Sequence, residues 1–162
     1  MKKTQAMRVL DRHGVAYTAT EYDAERAFHS GAEAAALLGV AAEQVYKTLV
    51  VLRDGSAGRP LLVLIPVEDE LDLKAAARAV GAKRLRMASQ REAEALTRLQ
   101  VGGISALAVR PGKFDVLIDG RALTLETVHV SAGERGIDMA VAAADLVRVT
   151  GATVADGLAH QP

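Results

Sequence analysis

The sequence contains no cysteine, and its charges cancel, with 20 Lys and Arg residues against 20 Asp and Glu residues. The lack of thiols excludes disulfides, thiolate nucleophiles and Cys-ligated metal sites. A neutral chain has no overall field that draws it onto nucleic acid, so any contact with RNA must come from a local patch. Half of the 162 residues are hydrophobic, which is enough for one core, and we expect a single domain over residues 1–162.

A long apolar segment is also lacking. The best apolar runs, residues 48–52 and 61–67, are far shorter than a bilayer requires. The amino terminus has two lysines without an apolar stretch behind them, which is not the pattern of a secretory signal. The sequence therefore predicts a cytoplasmic protein with no membrane partner.

Three common catalytic signatures are missing. The four histidines, His13, His29, His129 and His160, are scattered and show no HExxH spacing, so we expect no metal. There is no GxSxG elbow and no GxGxxG turn after a strand, so we expect neither an ordinary serine hydrolase nor a Rossmann cofactor site. His129 and Ser131 have the spacing that puts two strand residues on one side, which a solvated strand face explains as well.

Hydrophobic periodicity, capping boxes and glycines divide the chain into helices and strands. The predicted helices cover residues 4–13, 30–39, 68–81, 89–99 and 142–149. The predicted strands cover residues 15–21, 46–52, 61–67, 83–87, 106–109, 114–118 and 123–130. A polar loop is expected at residues 23–29 and a loose tail at residues 156–162. Strand pairs next to clusters of helices favour an α+β domain with a mixed, barrel-like sheet flanked by helices.

Two features could carry chemistry. Lys47 enters an apolar strand, where its ammonium must either reach solvent along the strand edge or face a polar pocket. Gly102 and Gly103 can present successive backbone amides to an oxyanion or a phosphate, although most glycine pairs only make a tight turn.

A basic segment offers a local patch on the otherwise neutral chain. Residues 74–91 contain six basic side chains and no acidic one. Such a patch can follow a sugar-phosphate backbone, and a solvated helix face balanced by the acidic residues 68–72 is the alternative interpretation. The basic residues are Lys74, Arg78, Lys83, Arg84, Arg86 and Arg91.

Five motifs in a fixed order resemble one known family. They are YKTL (46–49), LDLK (71–74), GAK (81–83), VGGIS (101–105) and VSAGERGID (130–138). Together they resemble the YbaK/EbsC family of aminoacyl-tRNA deacylases, and in particular its Cys-tRNA(Pro) deacylase branch. The resemblance covers nearly the whole chain.

The resemblance implies a mixed α/β domain related to the editing domain of bacterial prolyl-tRNA synthetases. It implies hydrolysis of the ester between a wrong amino acid and tRNA, without metal or cofactor. In the Cys-tRNA(Pro) branch the substrate thiol attacks its own carbonyl and a thiolactone is released. The implied partners are the tRNA acceptor end and prolyl-tRNA synthetase. A deacylase for another small amino acid, or a silent module that binds tRNA or a synthetase, remains an alternative.

The resemblance also assigns the site. Lys47 would hold the acceptor-end phosphate or the ester, and the amides of Gly102 and Gly103 would stabilise the oxyanion. The sequence departs from the family at Ala106 and Ala108, where proline and glycine are usual, and at Arg98-Leu99, where a Gly-Tyr pair is usual. These departures leave the amino-acid specificity open. The implied substrate-binding residues are Tyr22, Phe28, Thr48, Ser105, Ser131, Arg135 and Asp138.

Overall fold

The computed structural model describes residues 1–27, 31–55 and 57–162, which form helices and strands in mixed order. Two 3₁₀ helices, Ala42–Gln44 and Gly120–Thr124, connect some of them. The α-helices are α1 (Gln5–Arg12), α2 (Ala24–Ala27), α3 (Gly31–Leu38), α4 (Leu73–Val80), α5 (Gln90–Thr97) and α6 (Ala143–Thr150). The strands are β1 (Tyr17–Glu21), β2 (Tyr46–Asp54), β3 (Leu61–Pro66), β4 (Glu70–Leu71), β5 (Arg84–Met87), β6 (Asp115–Asp119), β7 (Thr127–Ser131), β8 (Ile137–Ala142), β9 (Thr153–Ala155) and β10 (Ala159–His160).

The strands form a large mixed sheet and a smaller antiparallel sheet. The large sheet has the order β5-β2-β3-β6-β9, in which β2 is antiparallel to both its neighbours, whereas β3, β6 and β9 run parallel. The small sheet has the order β1-β8-β7. One bridge between Val45 and His129 joins the two sheets. The predicted α+β fold with a mixed sheet and flanking helices is confirmed.

The core occupies both faces of the central strand β3, all six residues of which are buried. Val63 and Ile65 pack towards α4, and Leu62 on the opposite face packs towards α5. Leu10 of α1 and Met139 of β8 belong to a third cluster between the small sheet, α1 and α6. Each fully buried side chain of this size stabilises the fold by about 1.5–3 kcal/mol. No helix among the described residues is long and apolar enough to cross a membrane.

Local signals set the helix ends where the sequence predicted them. The Thr4 hydroxyl accepts a hydrogen bond from the Met7 amide at 3.3 Å and starts α1. Ser89 forms the predicted capping box of α5 with Glu92, at 3.1 Å. Gly81 ends α4 with a φ of 65°, a left-handed conformation that glycine adopts without steric cost. The predicted Ser30 capping box lies outside the described residues.

Two predictions for short segments are wrong. Residues 106–109 form turns instead of a strand, because the Leu107 amide donates to the Ser105 hydroxyl at 3.1 Å and the Ala108 amide to the Ser105 carbonyl at 3.2 Å. Ile104 and Leu107 are buried and hold these turns against the core. The predicted polar loop at residues 23–29 contains the short helix α2, and the Asp23 carboxylate accepts from its Glu25 amide at 3.1 Å.

The predicted loose tail at residues 156–162 is also wrong. Leu158 is fully buried in the cluster that packs on α4, and its carbonyl accepts from the Asp72 amide at 2.7 Å. β10 then pairs antiparallel with β4. The predicted helix start at residue 68 is too early for the same reason, since residues 70–71 form β4 and Asp72 caps α4 through the Ala75 amide.

Candidate active site at a gap in the large sheet

The candidate site lies where one edge of β2 has no strand beside it. On that edge β5 pairs with residues 51–54, and within the described residues the main-chain link to the small sheet is the bridge between His129 and Val45, the residue before β2. Within the described ranges, no strand pairs with this edge of residues 46–49. A cavity of about 490 Å³ opens at this gap. Its volume lies in the range of small-ligand sites, so the gap is the best candidate for a functional site.

Five segments form the cavity wall, and each comes from a different part of the chain. They are β2, the turn at residues 101–104, the β7–β8 region, the start of α5 at residues 87–90, and α3 with the segment after β1. Seven of the ten predicted site residues therefore meet in one place. They are Tyr22, Lys47, Thr48, Gly102, Ser131, Arg135 and Asp138.

Lys47 brings a positive charge to this cavity. Its side chain is partly buried and makes no ion pair or hydrogen bond with any residue that the structure describes. Burial lowers the pKa of Lys47, and the carboxylates of Asp69 and Glu70 oppose this shift. A desolvated ammonium that no neighbour neutralises is free to bind an anion or a polarised carbonyl oxygen.

The two glycines of the 101–105 turn have different tasks. The Gly103 amide donates to the Gln100 carbonyl at 2.8 Å, so the prediction that it faces the substrate is corrected. A Cβ at Gly103 would lie 2.8 Å from the Arg135 backbone nitrogen, so this glycine lets the turn approach the β7–β8 loop. Gly102 lines the cavity, and its amide has no hydrogen-bond partner within the described segments. Gly102 is therefore the better candidate for an oxyanion donor.

Ser105, a further predicted site residue, does not line the cavity. Ser105 is buried, and its hydroxyl is used to hold the turn at residues 105–108. The predicted contact of Ser105 with substrate stays a prediction, and the structure gives this hydroxyl a role in the turn instead. Phe28 lies outside the described residues, and its predicted place in the pocket stays a prediction.

A buried histidine–aspartate pair stands beside the cavity. His129 Nδ1 and Asp138 Oδ2 are 2.7 Å apart, and the exposed fractions of the two side chains are 14% and 6%. Burial raises the pKa of Asp138, while the hydrogen bond and the charge of His129 lower it. Asp138 is the acidic side chain among the described lining residues. The sequence analysis missed His129 as a site residue, although its spacing from Ser131 gave a weak signal.

The basic segment 74–91 reaches the cavity at residues 87–90. Arg86 forms two hydrogen bonds with Glu92, at 2.9 and 3.0 Å, and is part of the α5 capping structure. Arg84 lies 3.9 Å from Asp54. The remaining four cations are exposed and form no ion pair with the described part of the chain. They are Lys74, Arg78, Lys83 and Arg91.

Metal ligands are not grouped at this site. The described residues contain no cluster of three or more His, Asp or Glu side chains that could hold a metal ion. The groups available for chemistry are therefore a lysine ammonium, backbone amides, a carboxylate and hydroxyls.

Comparisons with known proteins agree with this geometry. A protein of Enterococcus faecalis (strain ATCC 700802 / V583), named as a candidate Cys-tRNA(Pro)/Cys-tRNA(Cys) deacylase EbsC, is 31% identical over 155 residues, which are 96% of this chain and 93% of that one. The crystal structure of hypothetical protein APE2540 superposes with a TM-score of 0.85 at 28% identity, covering 97% of this chain and 100% of that one. The crystal structure of a candidate trans-editing enzyme for prolyl tRNA synthetase gives 0.79 at 27% identity, covering 96% and 98%. The sequence profile of the aminoacyl-tRNA editing domain matches residues 25–149. The resemblance predicted from the motifs is confirmed, and the chain belongs to the aminoacyl-tRNA editing domain family.

Proposed function

We propose that this chain, as one editing domain over residues 1–162, is a deacylase that hydrolyses the aminoacyl ester of mischarged tRNA, and that its substrate is Cys-tRNA(Pro). The observation that carries the proposal is the convergence of Lys47 and Gly102 on one cavity at the β2 gap. The family membership supports the reaction, and the name of the Enterococcus relative supports cysteine as the amino acid.

The chemistry follows from these two groups. The ester carbonyl lies against the Gly102 amide, which stabilises the oxyanion of the tetrahedral intermediate by about 3–4 kcal/mol. The Lys47 ammonium holds the adjacent phosphate or the ester oxygen as a point charge.

The resemblance to the Cys-tRNA(Pro) branch implies that the substrate thiol is the nucleophile, and this route fits a chain that has no cysteine of its own. The cysteinyl sulfur attacks its own carbonyl carbon, and a new C–S bond forms. The bond between that carbon and the ribose oxygen breaks, and the proton of the thiol passes to the departing oxygen. The products are a cyclic thiolactone and uncharged tRNA. Water then opens the thiolactone to free cysteine, so the overall reaction is hydrolysis of the ester.

A second substrate, another small amino acid, is favoured by one specific observation. Ala108 lies against the β7–β8 loop, where a Cβ at Gly133 would be 3.0 Å from the Ala108 Cβ. The resemblance gives glycine as the usual residue at position 108, so this methyl group is an added packing contact against the β7–β8 loop. Hydrolysis of Ala-tRNA or Ser-tRNA at the rate of Cys-tRNA would favour this alternative and would exclude the thiol route.

The test is single-turnover deacylation of tRNA(Pro) charged with cysteine, serine or alanine. We expect release of cysteine, and we expect Lys47→Ala to slow it by about 100- to 1,000-fold, the usual cost of one lost transition-state contact. Lys2→Ala, which removes an exposed lysine near the amino terminus, is the matched control. Thermal melting establishes that both variants are folded. Binding of tRNA without any deacylation by the wild type would instead favour a silent binding module.

Prolyl-tRNA synthetase is the proposed protein partner, because one structural relative is named as a trans-editing enzyme for it. Analytical ultracentrifugation of the chain with the synthetase, with and without tRNA(Pro), measures this interaction. A sedimentation profile equal to the sum of the separate components would contradict it.

A further inference from the structure

Asp138 places a carboxylate at the cavity although the site chemistry does not use it. It lies on β8 opposite Ser131 of β7, and it is 4% exposed. A buried carboxylate without a cationic partner is costly, so it needs either a neighbour or a ligand that offers hydrogen-bond donors. His129 forms the hydrogen bond with the Asp138 carboxylate, and the cations Lys47 and Arg135 of the cavity do not.

The pairing of β7 with β8 brings His129 to this carboxylate. Ser131 and Asp138 are register partners and share one face of the small sheet, and His129 lies two residues before Ser131 on the same face. An ionised carboxylate can only accept hydrogen bonds, so when Asp138 is ionised the 2.7 Å contact places the proton on Nδ1 of His129. The bridge between His129 and Val45 fixes the backbone of the histidine against β2.

The proposed substrate has a group that matches this carboxylate. An aminoacyl ester carries an α-ammonium one carbon away from the reacting carbonyl, and its pKa near 8 keeps it charged at neutral pH. Lys47 and Arg135 would repel this group if nothing opposed them. We propose that Asp138 receives the α-ammonium of the aminoacyl group, and that His129 is a positioning residue that holds the Asp138 carboxylate ionised and directed at the cavity. This inference rests on the proposed deacylase function.

The charge of Asp138 depends on its surroundings in a defined direction. Burial raises the pKa of Asp138, and His129 is the neighbour that lowers it. The other ionisable groups among the described lining residues are Tyr22 after β1, Arg135 of the β7–β8 loop, and Tyr46 and Lys47 of β2. Removal of the Nδ1 donor leaves the effect of burial unopposed, so a smaller fraction of Asp138 is ionised at neutral pH. Binding of the ammonium then needs a higher pH.

The first test compares tRNA(Pro) charged with cysteine and with its α-hydroxy isostere, 2-hydroxy-3-mercaptopropanoate, which has no ammonium. We expect the wild type to have a KM about 10- to 100-fold lower for the cysteinyl ester, as a charged hydrogen bond usually gives. We expect Asp138→Asn to bind both esters with similar KM. A variant that keeps the full preference would overturn the proposal. If the wild type deacylates neither ester, the proposed function fails instead.

The second test measures the pH dependence of KM in His129→Asn and His129→Leu, because the first keeps a donor near Nδ1 and the second has none. We expect the acid limb of 1/KM to move to higher pH in His129→Leu and to stay near the wild type in His129→Asn, with both variants measured below about pH 8, where the substrate ammonium is charged. An equal loss in both variants at every pH would mean a structural role only. A fall in kcat in His129→Asn without a change in KM would make His129 a reacting group. Either result would overturn its positioning role.

Discussion

Neutralising Lys83 and Arg91 should weaken the use of tRNA in a way that depends on salt. Both side chains are exposed, and they lie on either side of β5 and residues 87–90, which border the cavity mouth. Neither forms an ion pair with the described residues, so their loss breaks no contact that stabilises the fold. Arg86 is left in place because its two hydrogen bonds with Glu92 support the start of α5.

The magnitude follows from counterion release. Each phosphate contact contributes a slope of about −0.7 to −0.9 to the plot of log affinity against log salt, so the double variant should lose about 1.4–1.8 from this slope. With equal KM values for wild type and variant at 1 M salt as the reference, the KM of the variant at 0.15 M salt should be about 15- to 30-fold higher than that of the wild type. The ratio of the KM of the variant to the KM of the wild type should fall by about 7- to 12-fold when the salt concentration rises from 50 to 200 mM.

The assay is deacylation of Cys-tRNA(Pro) and of a minimal cysteinyl-adenosine ester by Lys83→Gln/Arg91→Gln at four salt concentrations. We expect a higher KM for tRNA, an unchanged kcat and unchanged kinetics with the minimal ester, which has no phosphate backbone. Arg8→Gln/Arg12→Gln, which removes two exposed charges from α1, is the matched control. The reasoning is refuted if the loss is independent of salt, if the minimal ester suffers equally, or if the control behaves in the same way.

Three further predictions test the fold and the site. Leu158→Ala should lower the free energy of unfolding by about 2–4 kcal/mol because the side chain is fully buried. Val154→Ala is the control, since Val154 is 38% exposed, and urea denaturation should find a much smaller loss of free energy in this variant. Equal losses would contradict the packed carboxyl terminus. Gly103→Ala should lower kcat because the new Cβ would lie 2.8 Å from the Arg135 backbone nitrogen. Gly112→Ala is the control, since its Cβ would have no atom within 4 Å, and it should lower only the stability. Equal kcat values in the two variants would show that activity does not need the close approach of the 101–105 turn to the β7–β8 loop. Hydrogen bonds from Arg86 and from the Ser89 amide lower the pKa of Glu92 from 4.5 to about 2, so its contribution to stability is complete above pH 4.5 and is lost as the pH falls towards 2. Acid unfolding of Glu92→Gln should therefore depend less on pH in this window, and an unchanged dependence would rule out the contribution.

Much of the fold could be predicted because its signals are local. Thr4 and Ser89 start helices through hydrogen bonds to amides three residues later, and Gly81 ends one with a positive φ. The sequence shows these residues directly. The apolar runs of β2 and β3 are equally visible because both strands are buried on one or both faces.

The elements that the sequence missed depend on partners far along the chain. β4 and β10 are two residues long and exist because the burial of Leu158 brings the carboxyl terminus to residue 70. Residues 106–109 have the apolar character of a strand, but the turns anchored by Ile104 and Leu107 leave them no sheet edge. The end of α5 differs in another way, since Arg98 adopts a φ of 60° without the glycine that usually marks such a position.

The site residues that belong to sequence motifs could be predicted, whereas the contact that depends on strand pairing could not. Lys47 and Gly102 were identified through their motifs, and both line the cavity. The contact of His129 with Asp138 arises from the register of β7 with β8, nine residues apart in the chain. A register is decided by the packing of whole strands, so a single sequence does not display it.

The opening beside β2 depends on where the neighbouring strand stops. The last main-chain hydrogen bond between these segments joins the Ala88 amide to the Val50 carbonyl at 3.0 Å, and the next residue, Ser89, turns the chain into a helix. Were the chain to continue as an extended segment past Ser89, it would cover residues 46–49 and occupy the space of the ligand. The hydroxyl of one serine, through its bond to the Glu92 amide, thereby keeps this binding space accessible.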